Sequence, residues 1–269
     1  MTKRYAVIGN PVAQSLSPLM HSSWIADHGI DATYVAHLFD SGEKAFHEFL
    51  RARPFDGANI TVPFKSWAMA AADTRNCDDD VANVLTWDGE GKIAADNTDG
   101  RGFIASLDEQ APGWSAKNVL VLGAGGAAAG IVRALKQKGR EIVIANRTFT
   151  RAEELATQFH AIAAPWQDLP ALFARADLVV QTTTLGMGQN ESPDWPFAQC
   201  KPSAFAVDIV YKPLETPFLK QARAHGLRGV DGLGMLIHQG ALAFEIWFGV
   251  TPDVKKARQR LCAALGEKA

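Results

Sequence analysis

The run Val119-Leu-Val-Leu122, followed at once by Gly123-Ala-Gly-Gly126 and an alanine-rich stretch to Lys138, constrains the fold more than any other part of the chain. An unbroken apolar run suits a strand buried on both faces, and such strands belong to parallel sheets with helices on each side. The glycines permit a tight turn, the alanines favour a helix, and Gly139 ends it. Glu141–Ala145 reads as the next strand, 151–159 as a helix, and 178–180, 204–208 and 227–230 as further strands. Strands alternating with helices predict a mostly parallel α/β sheet.

The residues ahead of this unit alternate in the same way. Tyr5-Ala-Val-Ile8 is a short apolar strand closed by Gly9-Asn10-Pro11. Ser17-Pro18 predicts a helix start, with serine as N-cap and proline at the first helical position, and the helix runs to His28-Gly29. Residues 34–36 read as a strand and Glu43–Arg51 as a helix with Phe46, Phe49 and Leu50 on one face. Residues 57–62 form a third strand, which Pro63 ends. Two helices, 234–247 and 252–265, close the chain. With 269 residues there is room for two domains, and the break is expected between Gly100 and Gly113.

Bulk properties exclude several classes. A net charge of −2 offers no electrostatic case for nucleic acid or an anionic membrane surface. No run approaches the roughly 18 apolar residues of a spanning helix, and the N-terminus has no stretch suited to a signal peptide. Cys77, Cys200 and Cys262 form neither a disulfide pattern nor a metal-ligand spacing. A cytoplasmic protein without a metal is expected.

Two motifs carry chemistry. Gly123-x-Gly125-x-x-Ala128 follows a strand and opens a helix, the context in which such a turn binds a dinucleotide. Gly123 permits the turn, Gly125 lets backbone approach a pyrophosphate, and the helix N-terminus offers N–H groups to the phosphates. After the next strand comes Asn146-Arg147-Thr148, with Arg151 beyond and no carboxylate before Glu153. An NAD site expects a carboxylate there for the ribose 2′-hydroxyl, whereas arginine suits the 2′-phosphate of NADP.

Asn59-Ile-Thr-Val-Pro-Phe-Lys65 and Asp96-Asn-Thr-Asp-Gly100 place polar side chains in apolar surroundings. Hydride reduction of a ketone leaves an alkoxide that must be protonated, and Lys65, oriented by Asp99, can supply that proton. Ser15 and Ser17 flank Leu16 and could clasp a carboxylate or hydroxyl. Asn83, inside Val81-Ala-Asn-Val-Leu85, is either a satisfied core amide or a ligand contact.

With Gly9-Asn-Pro11, Ser15-Leu-Ser-Pro18, Asp231-Gly-Leu-Gly-Met-Leu236 and Gln239, these segments resemble the shikimate dehydrogenase family over essentially the whole chain. The resemblance implies NADP-linked, reversible reduction of 3-dehydroshikimate to shikimate. It implies Lys65 and Asp99 as the catalytic pair, and Ser15, Ser17, Asn59, Thr61, Asn83, Tyr211 and Gln239 as substrate contacts. Cofactor contacts would be Gly123, Gly125, Gly126, Ala127, Asn146, Arg147, Thr148, Arg151, Thr183, Gly232 and Met235. The implied architecture is a substrate domain at 1–101, a Rossmann domain at 102–233, and C-terminal helices, 234–269, packing back on the first. Partners would be a small-molecule substrate and, at most, a second copy in a homodimer. Gln14, Leu16, Val84 and Gln181-Thr-Thr-Thr184 depart from the family pattern, which leaves quinate or an amino analogue as alternative substrates. A non-catalytic NADP-binding sensor is the alternative from another class.

Overall fold

The computed structural model describes residues 1–188 and 190–267. It divides into two compact units, residues 1–99 with 237–269 and residues 100–236. The first contains β1 (Lys3–Gly9), α1 (Ser17–Asp27), β2 (Ala32–Leu38), α2 (Glu43–Arg51), β3 (Gly57–Ile60), α3 (Lys65–Ala70), β4 (Thr74–Arg75), β5 (Val84–Trp87) and β6 (Ile93–Asp96). Helix α4 (Asp99–Gln110) leads into β7 (Asn118–Leu122), α5 (Gly126–Gln137), β8 (Glu141–Ala145), α6 (Phe149–Phe159), β9 (Ile162–Ala164), α7 (Leu169–Arg175), β10 (Leu178–Gln181), β11 (Phe205–Asp208), α8 (Pro217–Ala224) and β12 (Arg228–Val230). Helices α9 (Gly232–Phe248) and α10 (Val254–Leu265) close the chain. Among the described residues no helix is long and apolar enough to cross a membrane.

The second unit carries the all-parallel sheet, in the order β12-β11-β10-β7-β8-β9. Successive side chains of β7 point to opposite faces. Val119 and Val121 therefore join one buried apolar cluster, with Ile131, Leu135 and Phe103, while Leu120 and Leu122 join another, with Phe173 and Phe197. Burial on both faces is why β7 is apolar at every one of these positions.

The first unit is mostly parallel, as expected, with one antiparallel strand. Its order is β2-β1-β3-β5-β6-β4. Strands β1, β2 and β3 are parallel, but β5 runs antiparallel to both β3 and β6. The β5–β6 hairpin has short strands, and a polar Asn83 interrupts the apolar run leading into it, so its periodicity is weak. Its turn is held by Asp88, whose Oδ1 accepts from Glu90 N (2.9 Å) and Lys92 N (2.8 Å). One face of β1 packs Ala6 and Ile8 against Phe46, Leu50 and Phe64. On the other, Tyr5 meets Trp247 of α9 at 5.0 Å between centroids. Helix α10 joins α1 through Arg260 and Asp27 at 2.6 Å, and the Trp24 indole N–H donates to Asp253 O at 3.2 Å.

Three local expectations change. Ser17 is the first residue of α1 rather than its N-cap; Leu16 holds the cap position with helical dihedrals. Ser15 Oγ instead accepts the Ser17 N–H at 3.2 Å. Strand β3 ends at Ile60, before the turn in which Phe64 N bonds to Thr61 O. Lys65 opens α3 and Asp99 opens α4, two helices that the sequence pattern did not mark.

Candidate active site

The antiparallel placement of β5 builds the polar site. Its start lies at the same edge of the sheet as the ends of β3 and β6, because Asn59 pairs with Val84 and Val84 with Asp96. Asn59, Asn83 and the Asn97-Thr98-Asp99 segment thus converge where an all-parallel sheet would offer only strand ends.

Lys65 Nζ donates to Asp99 Oδ2, and both side chains are largely shielded, at 15% and 7% exposure. Asn83 Nδ2 lies 2.8 Å from Asp99 Oδ1, 2.9 Å from Thr98 Oγ1 and 3.1 Å from Gln239 Oε1. The Asn83 Oδ1 accepts the Thr98 N–H at 2.8 Å, while Thr98 Oγ1 reaches Gln239 O at 3.0 Å. Asn83, left open between core amide and ligand contact, is thus the hub joining the Lys65–Asp99 pair to Gln239 of α9. The Asn97 Oδ1 accepts the Asp99 N–H at 3.0 Å, which caps the start of α4 beside the Asp99 carboxylate. Such a network fixes Asp99 so that both oxygens are engaged, one by the amine and one by an amide.

Of the other expected substrate contacts, Thr61 follows β3, with its methyl packed against Gly9. A Cβ added at Gly9 would come within 2.3 Å of Thr61 Cγ2. Ser17 is buried; Ser15 is half-buried beside it in the chain. Tyr211 belongs to the other unit, on the segment after β11.

The expected cofactor residues lie in that other unit, and those after β7 and β10 sit at the strand-order reversal, where open α/β sheets take their ligands. Gly123 has φ of +113°, outside the range of L side chains, and a Cβ there would come within 2.5 Å of Thr182 Oγ1. Thr182 in turn donates to Leu122 O at 2.8 Å. Gly125 caps α5 without a side-chain bond, and a Cβ on it would meet nothing within 4 Å. Gly126 and Ala127 begin the helix, so their N–H groups face outward from its N-terminus.

Asn146 follows β8 and donates to Thr148 O at 2.8 Å, a turn that sets Arg147 and Arg151 at the surface. Neither guanidinium pairs with a carboxylate among the described residues, which suits both to a 2′-phosphate. Thr183 is held by Gln181, whose Nε2 donates to Thr183 O (3.2 Å) and Leu185 O (3.0 Å). Gly232 approaches so closely that a Cβ would lie 2.2 Å from Ile209 O, and Met235 is buried one turn on. This set fits NADP: an open helix start, a glycine that only backbone can occupy, and two uncommitted arginines. No group of three His, Cys, Asp or Glu side chains among the described residues could hold a metal ion.

Sequence reading did not single out Thr98, Tyr34 or Gln181 as functional. Thr98 stood inside a motif already marked as polar, and that was a usable signal. Tyr34 and Gln181 follow patterns indistinguishable from core strand residues.

Comparison with known proteins agrees with this geometry. The family model for the shikimate dehydrogenase substrate binding domain matches residues 7–83, that for shikimate/quinate 5-dehydrogenase matches 106–209, and that for the shikimate 5′-dehydrogenase C-terminal domain matches 232–262. The shikimate dehydrogenase (NADP(+)) of Mesorhizobium japonicum is 44% identical, over 98% of this chain and 96% of that protein. The structure of shikimate 5-dehydrogenase from Thermus thermophilus in complex with NADP(H) and shikimate superimposes with a TM-score of 0.88, at 35% identity, covering 97% of this chain and 99% of that one. The quinate dehydrogenase of Corynebacterium glutamicum, solved with NAD, gives a TM-score of 0.90 at 26% identity, covering 97% and 99% of the two chains. By sequence and by fold, this chain belongs to the shikimate dehydrogenase family.

Proposed function

We propose that the protein catalyses the NADP-dependent, reversible reduction of 3-dehydroshikimate to shikimate. The observation that carries this reading is the shielded Lys65–Asp99 pair inside a network of amide and hydroxyl groups. A sensor has no use for such a pair, whereas a ketone reductase requires one. Bound NADPH supplies the hydride. Every other element belongs to the chain. Lys65 Nζ gives its proton to the carbonyl oxygen as negative charge develops there, and withdraws it in the reverse direction. Asp99 holds the amine in place and, through Oδ1, is itself held by Asn83. Asn59, Thr61, Ser15, Ser17, Gln239 and Tyr211 bind the hydroxyls and carboxylate. Gly123, Gly125, Gly126 and Ala127 cradle the pyrophosphate by backbone, while Asn146, Arg147, Thr148 and Arg151 take the adenosine 2′-phosphate. Thr183, Gly232 and Met235 border the nicotinamide. On this reading the protein works in the cytoplasm, as a monomer or homodimer, on a freely diffusing small molecule.

The test is a spectrophotometric screen of shikimate and quinate, each with NADP and with NAD. Shikimate with NADP is expected to be fastest. Faster oxidation of quinate would move the substrate assignment, and equal rates with both cofactors would refute the role of Arg147. Dinucleotide binding without oxidation of either acid would favour the sensor.

A further inference from the structure

We infer that Tyr34 is a positioning residue that sets which end of the Asn59 amide faces the substrate. Tyr34 lies on β2, 5% exposed, and its ring stacks on His21 at 4.3 Å with only 4° between planes. Tyr34 also lies 6.2 Å from the Trp247 ring, and its stacking partner His21 is packed in turn against Trp24, Phe244 and Trp247. Its hydroxyl donates to Asn59 Oδ1 at 2.6 Å. Burial raises its pKa well above the ordinary value, so it stays a donor across the working pH range.

An amide can present either its oxygen or its NH2 in a given direction, and the partners decide which. Here both partners agree. The Tyr34 hydroxyl needs an acceptor and finds Oδ1, while Asn83 O, which accepts the Ile60 N–H at 2.9 Å, takes a second donor in Asn59 Nδ2 at 3.2 Å. The reversed amide would set Oδ1 against the Asn83 carbonyl oxygen, two acceptors face to face. Asn59 therefore keeps one Nδ2 hydrogen that no described residue takes, and that hydrogen is what it offers a ligand. Its substrate partner must be an oxygen acting as acceptor.

This inference rests on the shikimate reading above, and the experiment separates the two. Steady-state kinetics with shikimate and NADP are compared for the parent, Tyr34→Phe, Asn59→Ala and the double variant. Tyr34→Phe is expected to raise KM for shikimate about tenfold, the effect of one misdirected neutral hydrogen bond, with KM for NADP unchanged. In the Asn59→Ala background the same change is expected to add nothing, because Tyr34 acts through that amide. An unchanged shikimate KM in Tyr34→Phe, or an undiminished effect on top of Asn59→Ala, overturns the inference. So does an equal rise in KM for NADP, the sign of a general structural loss. Should Tyr34→Phe not fold, Asn59→Asp serves instead: it keeps the acceptor for Tyr34 but turns an oxygen toward the substrate. It is expected to weaken shikimate at least as much as Asn59→Ala, and an unchanged KM overturns the inference equally. A parent enzyme inert toward shikimate defeats the functional reading itself.

Discussion

In the sheet built around β1 the strand order reverses beside Gly9; in the sheet built around β7 it reverses beside Gly123. Both glycines admit a close neighbour, Thr61 in one case and Thr182 in the other. From there the two regions diverge. The first sheet is mixed, and its antiparallel β5 brings the start of one strand to the ends of two others, so Asn59 of β3 and the residues flanking β5 and β6 meet in one network. The second is wholly parallel, so post-strand loops and a helix N-terminus gather at the reversal, and the start of α5 presents backbone N–H groups there. A polyhydroxylated acid needs individually placed donors and acceptors. A pyrophosphate needs only a row of N–H groups. The topology of each sheet matches the ligand proposed for it.

If the network is the reacting half, removing its amine gives the largest effect. Lys65→Ala is expected to lower kcat by on the order of 10³-fold, within the range for a general acid that also stabilises an oxyanion. NADP affinity, read by fluorescence titration, should stay within about twofold, since the cradle is made elsewhere and from backbone. Near-normal turnover would remove Lys65 from the mechanism; a matching fall in NADP affinity would break the division of labour between the two regions.

The backbone half can be tested by two glycines with opposite requirements. Gly123 needs to be glycine for the fold, through its φ of +113° and the contact with Thr182. Gly125 has ordinary extended dihedrals and open space around its missing Cβ, so the fold itself makes no demand for glycine there. Gly125→Ala is expected to leave the thermal midpoint of the free protein nearly unchanged. It should weaken NADP on the order of 100-fold, as when charge-assisted backbone bonds are lost. Gly123→Ala should lower the midpoint as well as the affinity, with about 2 kcal/mol of strain. Identical behaviour of the two variants would mean that Gly125 has no contact role.

Much of this contrast was legible beforehand. Strands β1, β7, β8, β10 and β11 are marked by unbroken apolar runs, and the turn at Gly123 by its place between strand and helix. The Lys65–Asp99 pair stood out because polar residues in an apolar context demand partners. The hairpin β5–β6 was not legible, because short strands with a polar residue just ahead of them carry no clear period of two. Without the hairpin, Asn83 had no defined neighbours, and its role could not be decided. Tyr34 and Gln181 escaped for a different reason. An aromatic or an amide in a strand looks like core, and its function lies in where one polar atom points, which only contacts across the fold reveal.

The regions also differ in how their buried ionisable groups respond to acid. His21, fully buried in the first unit among aromatic rings, is lowered by desolvation to about 3. Asp208, fully buried in the second at the end of β11, is raised by desolvation to about 7, with opposing bonds from the Thr216 hydroxyl and the Val210 N–H. The signs are opposite. The unfolded chain takes up a proton on histidine below 6.5 while the fold does not, so the contribution of His21 is present above 6.5 and lost as pH falls through about 3. For Asp208 the fold holds the proton more tightly, so its contribution is present below 3.8 and lost as pH rises through about 7. Between pH 5 and 6.5 each is worth about 2 kcal/mol in opposite directions, at roughly 1.36 kcal/mol per pKa unit. Urea unfolding should therefore show the gap between parent and His21→Phe widening in the parent's favour by about 2 kcal/mol from pH 5 to 6.5. For Asp208→Asn the parent should lose ground by a similar amount. His37, also lowered by burial, is common to parent and variants and cancels in these differences. A flat difference for His21→Phe would mean the imidazole under Tyr34 is protonated or hydrated in solution, and the rigid stack on which the first region depends would not stand.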